Sequence, residues 1–345
     1  MIAASEPIQR PIDARLLAID PAGHMRHLKR DRFIELLRRG DLVIANDAAP
    51  LPASLHGTHE TTGDTIEVRL AAWQSASADD VTRFTAVVFG AGDYHTATEN
   101  RPTPPHLASG DRLILGPLTA TVTDVLDHPR LVSLRFIGPA HRIWAGMARH
   151  GHPIQYAHIR APLAMWDVWP LIAARPVAFE PPSAGFVLNW RILDEMHAQG
   201  VEFATITHAA GISSTGDLDL DVRLPLDEPY DISDATATAI ARARQRRGRV
   251  VAVGTTVVRA LEHAAKDSGL VRAGRGLANQ RVTASTGLNV VDAILSGTHE
   301  PGTTHYELLR AFVNDVSLGT ASRELNNHKY RTHEFGDSIF IERAA

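Results

Sequence analysis

Residues Val250–Glu262, V-V-A-V-G-T-T-V-V-R-A-L-E, decide how the rest of the chain is read. Val250, Val251 and Val253 form a short apolar run of the kind buried on both faces of a parallel sheet. Gly254 follows, where a sharp turn calls for backbone angles that a side chain hinders. Thr255-Thr256 reads as a helix start, with a threonine available to accept from a free N–H of the first turn. Arg259 and Glu262, three residues apart, share one face of that helix. Strand, turn and helix in this order make an α/β unit. An ordinary connection fits it, and so does a ligand pocket at the carboxyl end of the strand.

Composition sets the bounds. The chain has 345 residues, enough for two domains or for one large domain with an insertion, and 44% are hydrophobic. A formal net charge of −4 carries no global nucleic-acid signature, although a local basic patch is sufficient for such binding. The absence of cysteine excludes disulfides, zinc–thiolate sites and thiol nucleophiles. The N-terminal stretch M-I-A-A-S-E-P-I-Q-R-P has no apolar leader, and no run of about 18 apolar residues occurs. The expected setting is therefore the cytoplasm, with no membrane partner. No repeat of solenoid or propeller period is present.

Working outward, Arg32–Arg39 is amphipathic and predicts a helix stopping at Gly40, followed by a strand at Asp41–Ala45. From about Leu55 to Arg142 the pattern changes to short alternating runs. They are Thr65–Leu70, Phe84–Phe89, Arg112–Leu115, Ala120–Val125 and Leu131–Phe136, and together they predict a small barrel or sandwich. Pro-rich Thr96–Ser109 reads as a surface loop. The α/β rhythm then returns. Phe186–Gln199 predicts a helix ending at Gly200, Val201–Thr207 a strand, and Asp234–Arg247 a helix capped by Ser233. Its arginines, Arg242, Arg244, Arg246 and Arg247, suit a helix C-terminus better than a phosphate site. Val290–Leu295, Tyr306–Val313 and Ser322–Tyr330 read as helix or strand, and Ser338–Ile341 as a closing strand. The fold expected is α/β. One large domain is built from residues 1–55 and 143–345, interrupted by an inserted β-barrel at 56–142.

Few stretches carry chemistry unaided. His150-Gly151-His152, with His158 beyond, invites a metal reading, but no Asp/Glu repeat completes a ligand set, so no metal is expected. No nucleophile elbow, Walker A loop or dinucleotide fingerprint occurs. The small residues of Pro181–Gly185 would admit a ligand close to the backbone, or simply make a tight connection. His299, beside an apparent helix start at Thr303-Thr304, is able to act as acid or base near neutral pH, although a lone histidine at such a place is more often structural. Gly336-Asp337 is a turn before the last strand.

Taken in order, these pieces resemble one family, the S-adenosylmethionine:tRNA ribosyltransferase-isomerases, which make epoxyqueuosine. The family's N-D-T-R-V-x-P-A-R-L corresponds to Asn46–Leu55, and its Y-G-H-I-P-L-P-P-Y-I to His150–Ile159. P-T-A-G-L-H-F corresponds to Pro182–Leu188, and G-T-T-S-V-R-T-L-E to Gly254–Glu262. The family's V-V-D-A…F-H-L-P-x-S-T corresponds to Val290–Ala293 and His299–Thr304, and its Y-R-F-F-S-Y-G-D to Tyr330-Arg331 with Gly336-Asp337. The resemblance covers nearly the whole chain and implies the same interrupted α/β architecture.

It also implies a reaction. The sulfonium of S-adenosylmethionine acidifies the adjacent C5′, a base removes that proton, adenine leaves, and an amine on a tRNA base captures the sugar. Epoxide closure then expels methionine. S-adenosylmethionine is thus the co-substrate and tRNA the expected partner. By this resemblance Gly254, Thr255, Thr256, Arg259, Thr303 and Thr304 bind the donor, Ala184 and Gly185 admit its adenosine, and His299 is the acid/base candidate. Asp337 and Asp47 are candidates for a ribose or amine contact. The chain departs from the pattern elsewhere. Ala49 and Ser54 stand for two arginines, Val187 for a histidine and Gly297 for an asparagine, and Arg223–Glu228 keeps only the acid of H-x-M-H-x-E. Two other readings follow from these losses: ribosyl transfer to a small molecule or cleavage of the donor without tRNA, and a non-catalytic nucleoside- or tRNA-binding protein.

Overall fold

A computed structural model describes residues 1–75 and 80–344. In it Val250–Val253 is a strand with all four residues buried, held in parallel between Leu42–Asn46 and Ala293–Gly297. Leu42–Asn46 pairs in parallel on its other side with Glu202–His208. These four strands are the centre of a nine-stranded sheet. Antiparallel Glu228–Ile232 and Gly274–Ala278 extend one edge, and Ser338–Glu342, Arg15–Ile19 and Met25–Lys29 extend the other. The central strands are apolar on both faces because both faces are covered. Val257, Val258 and Leu261 pack on one side with Ile240 and Ile294, while Phe33, Ile192 and Met196 pack on the other with Val251 and Leu295.

Leu42–Asn46 precedes the insertion and its neighbours follow it, so the sheet is assembled from both flanks as expected. The insertion is a closed antiparallel barrel of Ser54–His59, Thr65–Trp73, Arg83–Phe89, Arg112–Leu115, Leu118–Val125 and Leu131–Phe136. The expected boundaries at 56 and 142 fall inside the first barrel strand and inside the following helix, Ala140–His150. Barrel and sheet are not independent bodies in their packing: Ala209, Ala210, Ile212, Leu220 and Leu224 share one apolar core with the barrel interior.

Local structure departs from the sequence expectations in several places. Arg30–Leu36 is a tight 3-10 helix with its C-cap at Leu37, so the turn ends before Gly40. The segment 186–199 is broken: Ser183–Val187 is a 3-10 turn, and Asn189 starts a new helix, Trp190–Gln199, by accepting from the Ile192 N–H at 2.9 Å. Ser233 caps Asp234–Gln245 as expected, accepting from the Thr236 N–H. Arg242 and Arg246 of that helix both pair with Glu202, and Arg244 donates to the carbonyls of Asn289 and Val290. The C-terminal segments resolve into helices Thr304–Leu309 and Asp315–Asn327. The Pro-rich loop is not wholly on the surface. Its Arg101 is buried and donates to Glu67, which also pairs with Arg69 and accepts from Ser54 Oγ.

Candidate functional site

A cavity of about 630 Å³ opens at the carboxyl ends of the central strands, where α/β sheets characteristically bind ligands. Its floor is the turn after Val250–Val253. Gly254 there takes φ +99° and ψ 154°, a region reserved in practice for glycine, and a Cβ would lie 3.4 Å from Ala184 Cβ. Gly254, not a threonine, is the N-cap of the helix Thr255–Ala265, and no side chain caps it. The expected threonine cap is therefore absent, because Thr255 and Thr256 are already helical. The first-turn N–H groups have no intrahelical partner, and with Gly254, Thr255 and Thr256 lining the cavity this end of the helix is suited to an anionic group.

Two residues of that helix organise the wall behind it. Glu262 accepts from the N–H groups of Asn289, Val290 and Val291 at 2.7, 3.0 and 2.9 Å, fixing the chain that enters the strand Ala293–Gly297. Arg259 is buried and lines the cavity, but its Nη1 donates to Glu228 and its Nη2 to the Ala278 carbonyl at 2.9 Å. Its Nε has no hydrogen-bond partner among the described residues. Glu228 in turn accepts from the Gly211 N–H at 2.6 Å and lies 3.4 Å from His208 Nε2. Burial raises the Glu228 carboxyl despite Arg259, and burial followed by the same guanidinium drives His208 well below the ordinary histidine range.

The same lining also includes His299, His305 and Glu180. His299 lines the cavity, exchanges a hydrogen bond with Ser296 Oγ through Nε2 at 2.9 Å, and stacks on His305 with ring centroids 4.7 Å apart. Burial, and then His305 and His333, hold His299 well below its usual pKa, so it is a neutral imidazole at physiological pH. His305 is lowered to about 4 by burial and then by Arg259. Glu180 is the contrasting group. Burial pushes its carboxyl up to about 7, although the Ser213 N–H donates to it at 3.1 Å and the Tyr156 hydroxyl at 2.5 Å.

Thus Ala184, Gly254, Thr255, Thr256, Arg259, His299, Thr303 and Thr304 all meet at one cavity. Thr303 there is a helix cap, accepting from the Tyr306 N–H. Gly185 is outside the lining, and a Cβ added to it meets no atom within 4 Å. Asp47 and Asp337 are also outside it. Asp47 accepts from Thr205 and Thr207 hydroxyls at 2.8 and 2.6 Å. Asp337 accepts from the backbone N–H groups of Arg15 and Arg331, both at 2.8 Å, and pairs with the Arg15 guanidinium. Their oxygens are committed to holding the chain. Sequence reasoning passed over Glu180, Tyr156, His208 and His305. Only the family's H-x-M-H-x-E signalled an acid of the cavity, Glu228.

The histidine pair of the metal reading separates. His150 ends a helix instead of lying on an extended chain, and its Nε2 bonds the His56 carbonyl at 2.7 Å. His152 pairs with Ser54 through its backbone. His158 lies elsewhere, 3.2 Å from Glu334.

Fold and cavity define an α/β protein with a strand-end pocket and an inserted barrel. Comparison with known proteins narrows this. The chain belongs to the queuosine biosynthesis protein family, whose model matches residues 1–341. It is 32% identical to the S-adenosylmethionine:tRNA ribosyltransferase-isomerase of Sorangium cellulosum, over 99% of this chain and 95% of that protein. It is 30% identical to the enzyme of the same name from Gloeobacter violaceus, over 98% and 92% of the two chains. The crystal structure of S-adenosylmethionine tRNA ribosyltransferase from Thermotoga maritima has the same fold, with a TM-score of 0.52 at 21% identity over 99% of this chain and 96% of that one.

Proposed function

We infer that this chain catalyses the family reaction: transfer and isomerisation of the ribosyl group of S-adenosylmethionine onto tRNA, forming epoxyqueuosine with release of adenine and methionine. The observation that carries the reading is the end-to-end family match together with a cavity that gathers the separate family segments. Substrates of this kind fit a cytoplasmic enzyme, and no helix among the described residues is long and apolar enough to cross a membrane.

The roles follow from the chemistry of the walls. The uncapped helix start at Gly254–Thr256 receives the anionic methionine carboxylate, with Arg259 Nε the remaining cationic donor. Ala184 leaves room for the nucleoside. Glu180 is the stronger base of the cavity and, in its ionised form, takes the C5′ proton. His299, kept neutral, has Nε2 occupied by Ser296 and offers Nδ1–H to a ring nitrogen of the departing adenine. Asp47 and Asp337 act by positioning the strands on which the site is built.

Incubation with S-adenosylmethionine and a tRNA carrying the queuosine precursor should release adenine and methionine in step with tRNA modification. Failure to modify tRNA, under conditions where a family enzyme succeeds, overturns the reading. A second reading has specific support in Ala49 and Ser54, which are buried where the family pattern carries arginines. Adenine release without tRNA would select cleavage of the donor or transfer to a small acceptor. Donor binding without turnover would select a binding protein.

A further inference from the structure

His158, His333 and Glu334 each offer a ligand atom, and the three atoms lie within 4.8 Å of one another. They come from two distant parts of the chain: His158 follows the helix Ala140–His150, whereas His333 and Glu334 sit in the turn before the last strand. We propose that this trio is a divalent transition-metal site, with zinc the best-matched ion, one aromatic layer behind the cavity wall.

Two observations carry this. The first is geometry. A tetrahedral zinc with N and O ligands at about 2.0–2.1 Å needs neighbouring ligand atoms about 3.3 Å apart. His158 Nε2 and Glu334 Oε2 already stand 3.2 Å apart. His333 completes the third side, its ring stacked on His158 at 4.1 Å, and it is the exposed member of the trio, free to turn onto the ion. Two imidazoles and one carboxylate, with the fourth position toward solvent, form an open zinc set.

The second is the backbone. His333 holds φ 70°, the left-handed region that non-glycine residues rarely occupy, with its ring stacked on that of His158.

The site is coupled to the cavity through one ring. Tyr156 lies parallel to His158, 9° between planes, and its hydroxyl donates to Glu180 in the cavity wall. A bound dication would therefore act on the proton-active wall from behind.

The test uses the full chain after exhaustive chelation, with Zn2+ alone as the probe, read by titration calorimetry near neutral pH and by the shift in thermal unfolding. One Zn2+ per chain should bind, releasing protons, and raise the unfolding temperature. His333→Ala should weaken binding at least about a hundredfold, since one of three protein ligands is lost, and the exposure of His333 makes this variant the one least prone to misfold. Glu334→Gln and His158→Ala should do the same. Their metal-free circular dichroism should match the parent, and a variant that fails this check is set aside in favour of His333→Ala. His328→Ala, which breaks a second three-ligand group among the described residues, His27–Glu324–His328, should change nothing. Absence of stoichiometric binding overturns the proposal. So does unchanged binding in His333→Ala, or loss of binding in His328→Ala.

Discussion

Arg259 and Glu228 form a buried ion pair at the back of the cavity, joining the helix after Gly254 to the antiparallel edge of the sheet. Both side chains are almost wholly out of water, so each is tolerable only with the other. Arg259→Ala leaves Glu228 facing His208 with no cation, and Glu228→Gln leaves the guanidinium uncompensated. Each should destabilise the fold by about 3–5 kcal/mol, the usual result of breaking a buried pair from one side. Urea denaturation checks it. A loss below about 1 kcal/mol would mean that solvent reaches the pair and that Arg259 is free for ligand.

His299 lines the cavity, and among the described residues its side-chain hydrogen bond is to Ser296, three residues away. His299→Ala should therefore lower adenine release by about 10²–10⁴-fold, the range for a lost proton-transfer partner. Binding of S-adenosylmethionine, measured by calorimetry, should persist. Unchanged turnover would remove His299 from the chemistry.

These two cases also mark where the sequence is legible. Val250–Val253 and the barrel strands could be read directly, because period and apolarity are local properties and tertiary packing here agrees with them. His299 and Gly254 became candidates because ordered family segments pointed to them, and both line the cavity. Glu180 could not. Its significance comes from burial beside Tyr156 and Ser213, which lie 24 and 33 residues away, and in sequence it is only an acid before two prolines. Asp47 and Asp337 show a different limit, since neither lines the cavity. Both sit in matching segments, but their oxygens are spent on Thr205 and Thr207 and on Arg15 and Arg331, partners supplied by the folded chain. The break at Asn189 was missed because an apolar helical pattern runs on either side of it, and only the cap geometry shows the restart.

Gly254 is the position at which a single methyl group should be felt. At φ +99° and ψ 154° an alanine is strained whatever space surrounds it, and the nearest side-chain atom, Ala184 Cβ at 3.4 Å, makes an ordinary contact. The cost is conformational, about 1–3 kcal/mol. Gly254→Ala should lower the thermal midpoint accordingly and weaken donor binding, because relief of strain re-aims the first-turn N–H groups. An unchanged midpoint and an unchanged KM for S-adenosylmethionine would show that the turn accepts a side chain.

Glu180 gives the molecule a pH signature whose sign is fixed by its burial. Its carboxyl stands at about 7 in the folded chain against an ordinary glutamate value of 4.5, so the folded state favours the protonated form. That preference stabilises the fold fully below about pH 4.5 and is lost as pH rises toward and through 7, where a charge must be carried in the cavity wall. Across that window the parent should lose up to about 3 kcal/mol relative to Glu180→Gln, which carries no proton to lose. Urea denaturation of both proteins at about pH 4, 6 and 8 tests this, and parallel curves would show that Glu180 titrates normally. Activity should move in the opposite direction. The base is the ionised form, so adenine release should rise as pH passes through about 7 and be abolished in Glu180→Gln with donor binding retained. Removing the Tyr156 hydroxyl takes away a bond that favours the carboxylate, so Tyr156→Phe should shift the rising limb to higher pH. A profile that stays in place would separate Glu180 from the step that limits turnover.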